Sequence, residues 1–122
     1  MTRSSHIDIT EAQRRIVLDA LRAHVPTGAV VWVFGSRAAG RARRYSDLDL
    51  AIDAGRRLTL DETAILAEAF SDSDLPYRVD VVDWQSIDDR FREVIAADAI
   101  VLAIPSDTPA ADRPSPGGKV TQ

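Results

Sequence analysis

The sequence predicts an α/β domain in which strands alternate with helices, and three observations carry that expectation. The run Ala29 to Phe34 is continuously apolar and rich in β-branched and aromatic residues, as a buried strand is. Thr10-Glu11-Ala12-Gln13 and Thr59-Leu60-Asp61-Glu62 both carry the capping-box pattern that opens a helix. Ser46 to Asp53 alternates polar and apolar residues, and Tyr77 to Trp84 has a valine-rich core, so extended and helical segments alternate along the chain.

In chain order, residues 1–9 read as a flexible N-terminal arm, followed by a helix from Thr10 to about Ala23. Ala12, Ile16 and Ala20 mark one face of that helix, which Val17 and Leu21 widen. Pro26-Thr27-Gly28 breaks the chain before the first strand. A short helix is expected from Ser36, then a connection over Gly40 to Tyr45 into the strand Ser46 to Asp53. The second capping box opens a helix over about residues 60–70, with Leu60, Ile65, Leu66, Ala69 and Phe70 as its apolar side. Ser71-Asp72-Ser73-Asp74 is turn-rich and leads into the strand Tyr77 to Trp84. Ser86-Ile87-Asp88-Asp89 opens a further helix to about Ala97, and Ile100 to Ile104 reads as a last edge strand. Residues 105–122, rich in Pro, Ser, Gly, Asp and Thr, read as a disordered tail.

Chemistry concentrates between the first two strands. Gly35 and Ser36 follow the apolar run, where a glycine allows close backbone approach to a polyphosphate and Ser36 is expected to cap the helix behind it. Eleven residues after Ser36 comes Asp47-Leu48-Asp49. In an extended strand Asp47 and Asp49 project from one face and Leu48 and Leu50 from the other. Their Cα atoms then lie roughly 6.6 to 7 Å apart, close enough for both carboxylates to serve hard cations. Mg²⁺ prefers oxygen ligands and is commonly held by one or two carboxylates together with substrate phosphates. A bridging carboxylate also suits two-metal phosphoryl chemistry, in which the ions are about 3.5 to 4 Å apart.

Gly-Ser followed by Asp-x-Asp at this spacing resembles the signature of the DNA polymerase beta-like nucleotidyltransferase superfamily, and the short chain looks like its minimal nucleotidyltransferase branch. The resemblance spans roughly residues 10–104, the expected catalytic domain. One departure is Ala39, where many minimal members carry a second arginine. The resemblance implies a small mixed β-sheet flanked by helices and a third carboxylate on a neighbouring strand. Tyr77 to Trp84 offers Asp80 and Asp83, which have opposite parity. Asp80 is chosen because it sits mid-strand and matches the family position; a one-residue shift of register would exchange it with Asp83, otherwise the residue that ends the strand or begins a turn. The implied catalytic and Mg²⁺-binding residues are therefore Asp47, Asp49 and Asp80, and the nucleotide-binding residues Gly35, Ser36 and Arg37.

The resemblance further implies transfer of AMP from ATP to a hydroxyl. Minimal nucleotidyltransferases of this size are often antitoxins that modify a tyrosine of a HEPN ribonuclease toxin. Two other readings stay open: a non-catalytic antitoxin that masks its partner, and a transferase for a small hydroxylated molecule such as an aminoglycoside.

Composition narrows the classes further. At 122 residues there is room for one modest core but not for a second substrate-binding domain, so a partner is expected to supply the acceptor surface. The formal charge of −4 argues against stable nucleic-acid binding, which needs a broad basic surface. With no cysteine, thiolate metal sites and thiol nucleophiles are excluded. A Walker-type phosphate loop is also excluded, because the single lysine is Lys119. No apolar run approaches the ~20 residues that span a bilayer, so a cytoplasmic location without membrane contact is expected. Arg41, Arg43 and Arg44 read as solvated surface, His6 and His24 show no ligand spacing, and Trp32, Tyr77 and Trp84 read as packing residues. No role is assigned to Tyr45.

Overall fold

A computed structural model describes residues 7–102 of the chain. It contains α1 (Glu11–His24), β1 (Val30–Phe34), α2 (Ser36–Ala39), β2 (Leu48–Asp53), α3 (Leu60–Ser71), β3 (Val79–Asp83), a 3₁₀ turn (Trp84–Ser86), α4 (Asp89–Asp98) and β4 (Ile100–Val101). The strands form one mixed sheet in the order β3-β2-β1-β4. β1 is antiparallel to both β2 and β4, whereas β2 and β3 are parallel and joined through α3.

Both expected capping boxes are formed. The Thr10 hydroxyl accepts from the Gln13 amide while the Gln13 side chain accepts from the Thr10 amide, and Thr59 and Glu62 reciprocate in the same way. These bonds satisfy donors that the first turn of a helix leaves unpaired.

Strand parity divides the core in two. Val31 and Val33 of β1 and Leu48, Leu50 and Ile52 of β2 face Val17 and Leu21 of α1 and Leu66 and Phe70 of α3. On the opposite face Val30 and Trp32 meet Ala51, Trp84 and Ile95 of α4, with the two indole rings 5.1 Å apart. Trp32, Tyr77 and Trp84 are all buried, as packing residues should be.

Three expectations need correction. Residues 7–9 are not a loose arm: Ile7 is buried in the core, and the Asp8 amide donates to the Arg37 carbonyl at 2.8 Å. Residues 1–6, the tail over 105–122 and the last part of the expected strand Ile100 to Ile104 lie outside the described residues. In α1 the buried pair is Val17 and Leu21, while Ala12 is exposed; turning the branched side chains inward removes more apolar area from water. In α3, Leu60 is 87% exposed and Ile65 49%. Leu60 is the first residue of the helix, and Ile65 lies about 100° around it from the buried Leu66. Among the described residues no helix is long and apolar enough to cross a membrane.

Candidate functional site

The ladder that joins β1 to β2 closes the gap between the two halves of the glycine-aspartate motif. Phe34, the last residue of β1, pairs with Asp49, and Asp49 pairs with Asp80 of β3. Phe34, Asp49 and Asp80 thus form one lateral row across three strands. Leu48 and Leu50 are fully buried on the opposite face, so the parity expected around Asp49 is the parity observed. Asp47 immediately precedes β2 instead of lying within it.

Gly35 turns the chain at the end of β1 with φ +76° and ψ −155°, a backbone conformation that suits glycine alone. A Cβ at this position would overlap Asp49 Oδ2 and lie 3.2 Å from Asp49 Cγ. The Asp49 carboxylate therefore rests against the bare backbone of the turn. Ser36 does not cap the helix that follows, contrary to expectation. Gly35 is the N-cap, with no side-chain hydrogen bond, and Ser36 is the first residue of a single helical turn. The Gly35 carbonyl accepts from the Ala38 and Ala39 amides, which leaves the Ser36 and Arg37 amides to head the turn. Gly40, at φ +78°, ends it.

Arg37 departs furthest from its expected role as a nucleotide ligand. It is only 4% exposed, and its guanidinium donates to the carbonyls of Asp8 (2.8 Å), Ser46 (3.0 Å), Arg43 (3.2 Å) and Arg44 (3.0 Å). Its other side lies over the Tyr77 ring, 3.9 Å from the centroid. These four bonds tie the guanidinium to two segments, three to the loop that leads into Asp47 and one to the stretch before α1. Arg37 holds the connection between the two half-motifs in shape. Tyr77, whose hydroxyl donates to Gln13 Oε1 at 3.0 Å, completes this buried assembly; burial is the main force raising its phenol pKa.

The aspartates differ in their surroundings. Burial raises the pKa of the Asp49 carboxyl, and the negative charges of Asp80 and then Asp47 raise it further. Asp80 accepts from Arg78 Nη2 at 3.1 Å, and its side chain is 43% exposed. Asp83 is occupied elsewhere: it accepts from the Leu58 amide (2.8 Å), the Gln85 amide (3.2 Å) and the Ser86 hydroxyl (2.7 Å). It ends β3 and caps the 3₁₀ turn, while Asp80 is the residue that the register sets opposite Asp49.

The donor set of Asp47, Asp49 and Asp80 is all-oxygen and anionic, which suits Mg²⁺. Among the described residues no three acidic, histidine or cysteine side chains are already gathered into a metal cage. Mg²⁺ does not demand one, because it keeps several waters and takes substrate phosphates as ligands.

Two participants escaped the sequence reading. The contact of Gly35 with Asp49 depends on strand pairing and leaves no local signal. Arg78 had a signal: it stands two residues before Asp80, at the parity that puts both on one face.

Residues 21–108 match the family described as Polymerase beta, Nucleotidyltransferase. The chain is 44% identical over 102 residues to the Haemophilus influenzae protein called "Probable protein adenylyltransferase MntA", covering 84% of this chain and 89% of that one. A solved structure described as a "putative minimal nucleotidyltransferase" is 42% identical, with a TM-score of 0.55 over 73% of this chain and 88% of its own. A chain from a toxin-antitoxin crystal structure with AMP-PNP aligns at a TM-score of 0.65 and 27% identity, over 74% of this chain and 72% of its own. The mixed sheet, the glycine turn and the extent of the family match agree, and the chain belongs to the polymerase beta nucleotidyltransferase family.

Proposed function

We propose that this nucleotidyltransferase moves AMP from ATP to a hydroxyl of a partner protein, a tyrosine of a HEPN ribonuclease toxin, and so acts as that toxin's antitoxin. The observation that carries the chemistry is the row that sets the Gly35 turn against Asp49 and Asp49 opposite Asp80. The choice of a protein acceptor draws on the 44% identity to a protein named an adenylyltransferase and on the fold shared with a toxin-antitoxin chain.

In this reading the Gly35 turn and the Ser36 amide bind the triphosphate through backbone N–H groups. Asp47, Asp49 and Asp80 would hold Mg²⁺, which when bound supplies charge neutralisation at the α-phosphate and the leaving oxygen. The acceptor oxygen forms a bond to the α-phosphorus as the bond from that phosphorus to the bridging oxygen breaks, and pyrophosphate leaves. Asp80, whose side chain is 43% exposed, takes the acceptor's proton. Arg37 keeps the loop before Asp47 in place and touches no substrate.

The test is to incubate the purified chain with the toxin, ATP and Mg²⁺ and to map the toxin by mass spectrometry. AMP on a toxin tyrosine, absent with Asp47→Asn/Asp49→Asn, is the expected result. Should that double variant still neutralise the toxin without modifying it, masking by binding would replace this reading.

A further inference from the structure

Arg78 lies beside the proposed metal site without belonging to the carboxylate motif. Its carbonyl accepts from the Leu48 amide at 2.9 Å, and Leu48 pairs with Val79, so Arg78 sits across from Asp47 where the β2–β3 pairing begins. Arg78 and Asp80 share a face by the two-residue period of a strand, and that face is the one carrying Asp49. Asp47 just before β2 and Asp49 on it, with Arg78 just before β3 and Asp80 on it, form a square of three anions and one cation.

The cation is engaged but loosely held. Arg78 Nη2 donates to Asp80 Oδ1 at 3.1 Å, the only hydrogen bond its side chain makes among the described residues, and 78% of that side chain is exposed. The hydrogen bond and charge of Asp80, and then the charge of Asp47, favour its protonated form. A guanidinium does not lose its proton in a protein, so it leaves a carboxylate only by swinging away or by being outcompeted. Exposed ion pairs are weak enough for a divalent ion to displace them. The other ion pair of the described region, Arg56 with Glu62, involves none of the three aspartates.

We propose that Arg78 is the resident counter-cation of this site, pairing with Asp80 while no divalent ion is bound and releasing that carboxylate when one arrives. Arg78 is thus a positioning residue: it relieves repulsion among Asp47, Asp49 and Asp80 in the metal-free protein and sets the metal concentration at which Asp80 becomes available. The inference rests on the reading of those aspartates as divalent-ion ligands.

The test titrates the full chain with Mn²⁺ in the absence of nucleotide, reading free Mn²⁺ by electron paramagnetic resonance. Because Arg78 is exposed, its variants are expected to fold. Arg78→Gln should tighten Mn²⁺ binding roughly two- to fivefold, the range of an exposed ion pair, while Arg78→Lys should stay near wild type. In an Asp80→Asn background most of that gain should disappear. An unchanged affinity in Arg78→Gln, or an equal gain with and without Asp80, would overturn the role of Arg78 while leaving the metal site standing. If the wild-type chain bound no Mn²⁺, the metal reading itself would fall, and this inference with it.

Discussion

The Asp49 carboxylate occupies the space that a side chain at position 35 would need. Gly35 combines φ +76° with this contact, so its lack of a Cβ serves the backbone turn and the neighbouring carboxylate together. The pairing of Phe34 with Asp49 brings them together, although they lie far apart in the motif. The turn and the carboxylate row therefore have a single shared geometry.

Gly35→Ala should damage both. The backbone conformation would cost about 1 to 3 kcal/mol, measured by urea denaturation. Displacing the Asp49 carboxylate should lower nucleotide transfer per folded molecule by roughly 10²-fold, the usual effect of misplacing a reacting group by about 1 Å. An alanine variant with wild-type stability and rate would show that the contact is dispensable.

The raised pKa of Asp49 makes the stability of the metal-free protein depend on pH. The folded state binds the Asp49 proton more tightly than the unfolded chain, whose value is near 3.8. As pH rises from that value through the folded pKa, the folded state holds more protons than the unfolded one, and stability from this group falls. In a chelating buffer Asp49→Asn should therefore melt at a higher temperature than wild type above this window. The difference should vanish below the unfolded pKa. Added Mg²⁺ should raise the melting temperature of wild type alone if Asp49 is a ligand.

Arg37→Lys separates a scaffold from a phosphate ligand. An ammonium cannot reach the four carbonyls that the planar guanidinium bridges, so buried acceptors would lose their partners. A loss of about 2 to 4 kcal/mol in stability is expected, with the KM for ATP of the folded fraction unchanged. A raised KM at unchanged stability would return Arg37 to the nucleotide.

Asp80 and Asp83 should respond in opposite ways. Asp83→Ala removes the acceptor for the Leu58 and Gln85 amides and should cost about 1 to 2 kcal/mol, with transfer by the folded fraction retained. Asp80→Ala should leave denaturation nearly unchanged and abolish transfer. A parallel loss of activity in both variants would blur the distinction between the two roles.

Much of the fold was legible because its signals are local. Thr10 with Gln13 and Thr59 with Glu62 announce helix starts three residues apart, and both boxes form. The alternation at Leu48, Asp49 and Leu50 sets which side chains face the core, and Leu48 and Leu50 are fully buried as the pattern requires. Leu60 and Ile65 misled because helical periodicity locates an apolar stripe without saying where the helix meets the sheet.

The residue types and spacing of Gly35, Ser36, Asp47 and Asp49 by themselves pointed to the family, while the apolar run, the capping boxes and the strand alternation determined the α/β class and the face on which Asp49 projects. Tertiary structure fixed the register that sets Asp80, the residue the sequence favoured over Asp83, opposite Asp49, and it alone decided that Arg37 is buried among carbonyls and that Arg78 joins the aspartates. The reason is physical: parity and capping are settled within a few residues. Strand register and the fate of a buried cation are settled by partners remote in sequence, such as Asp8, 29 residues from Arg37.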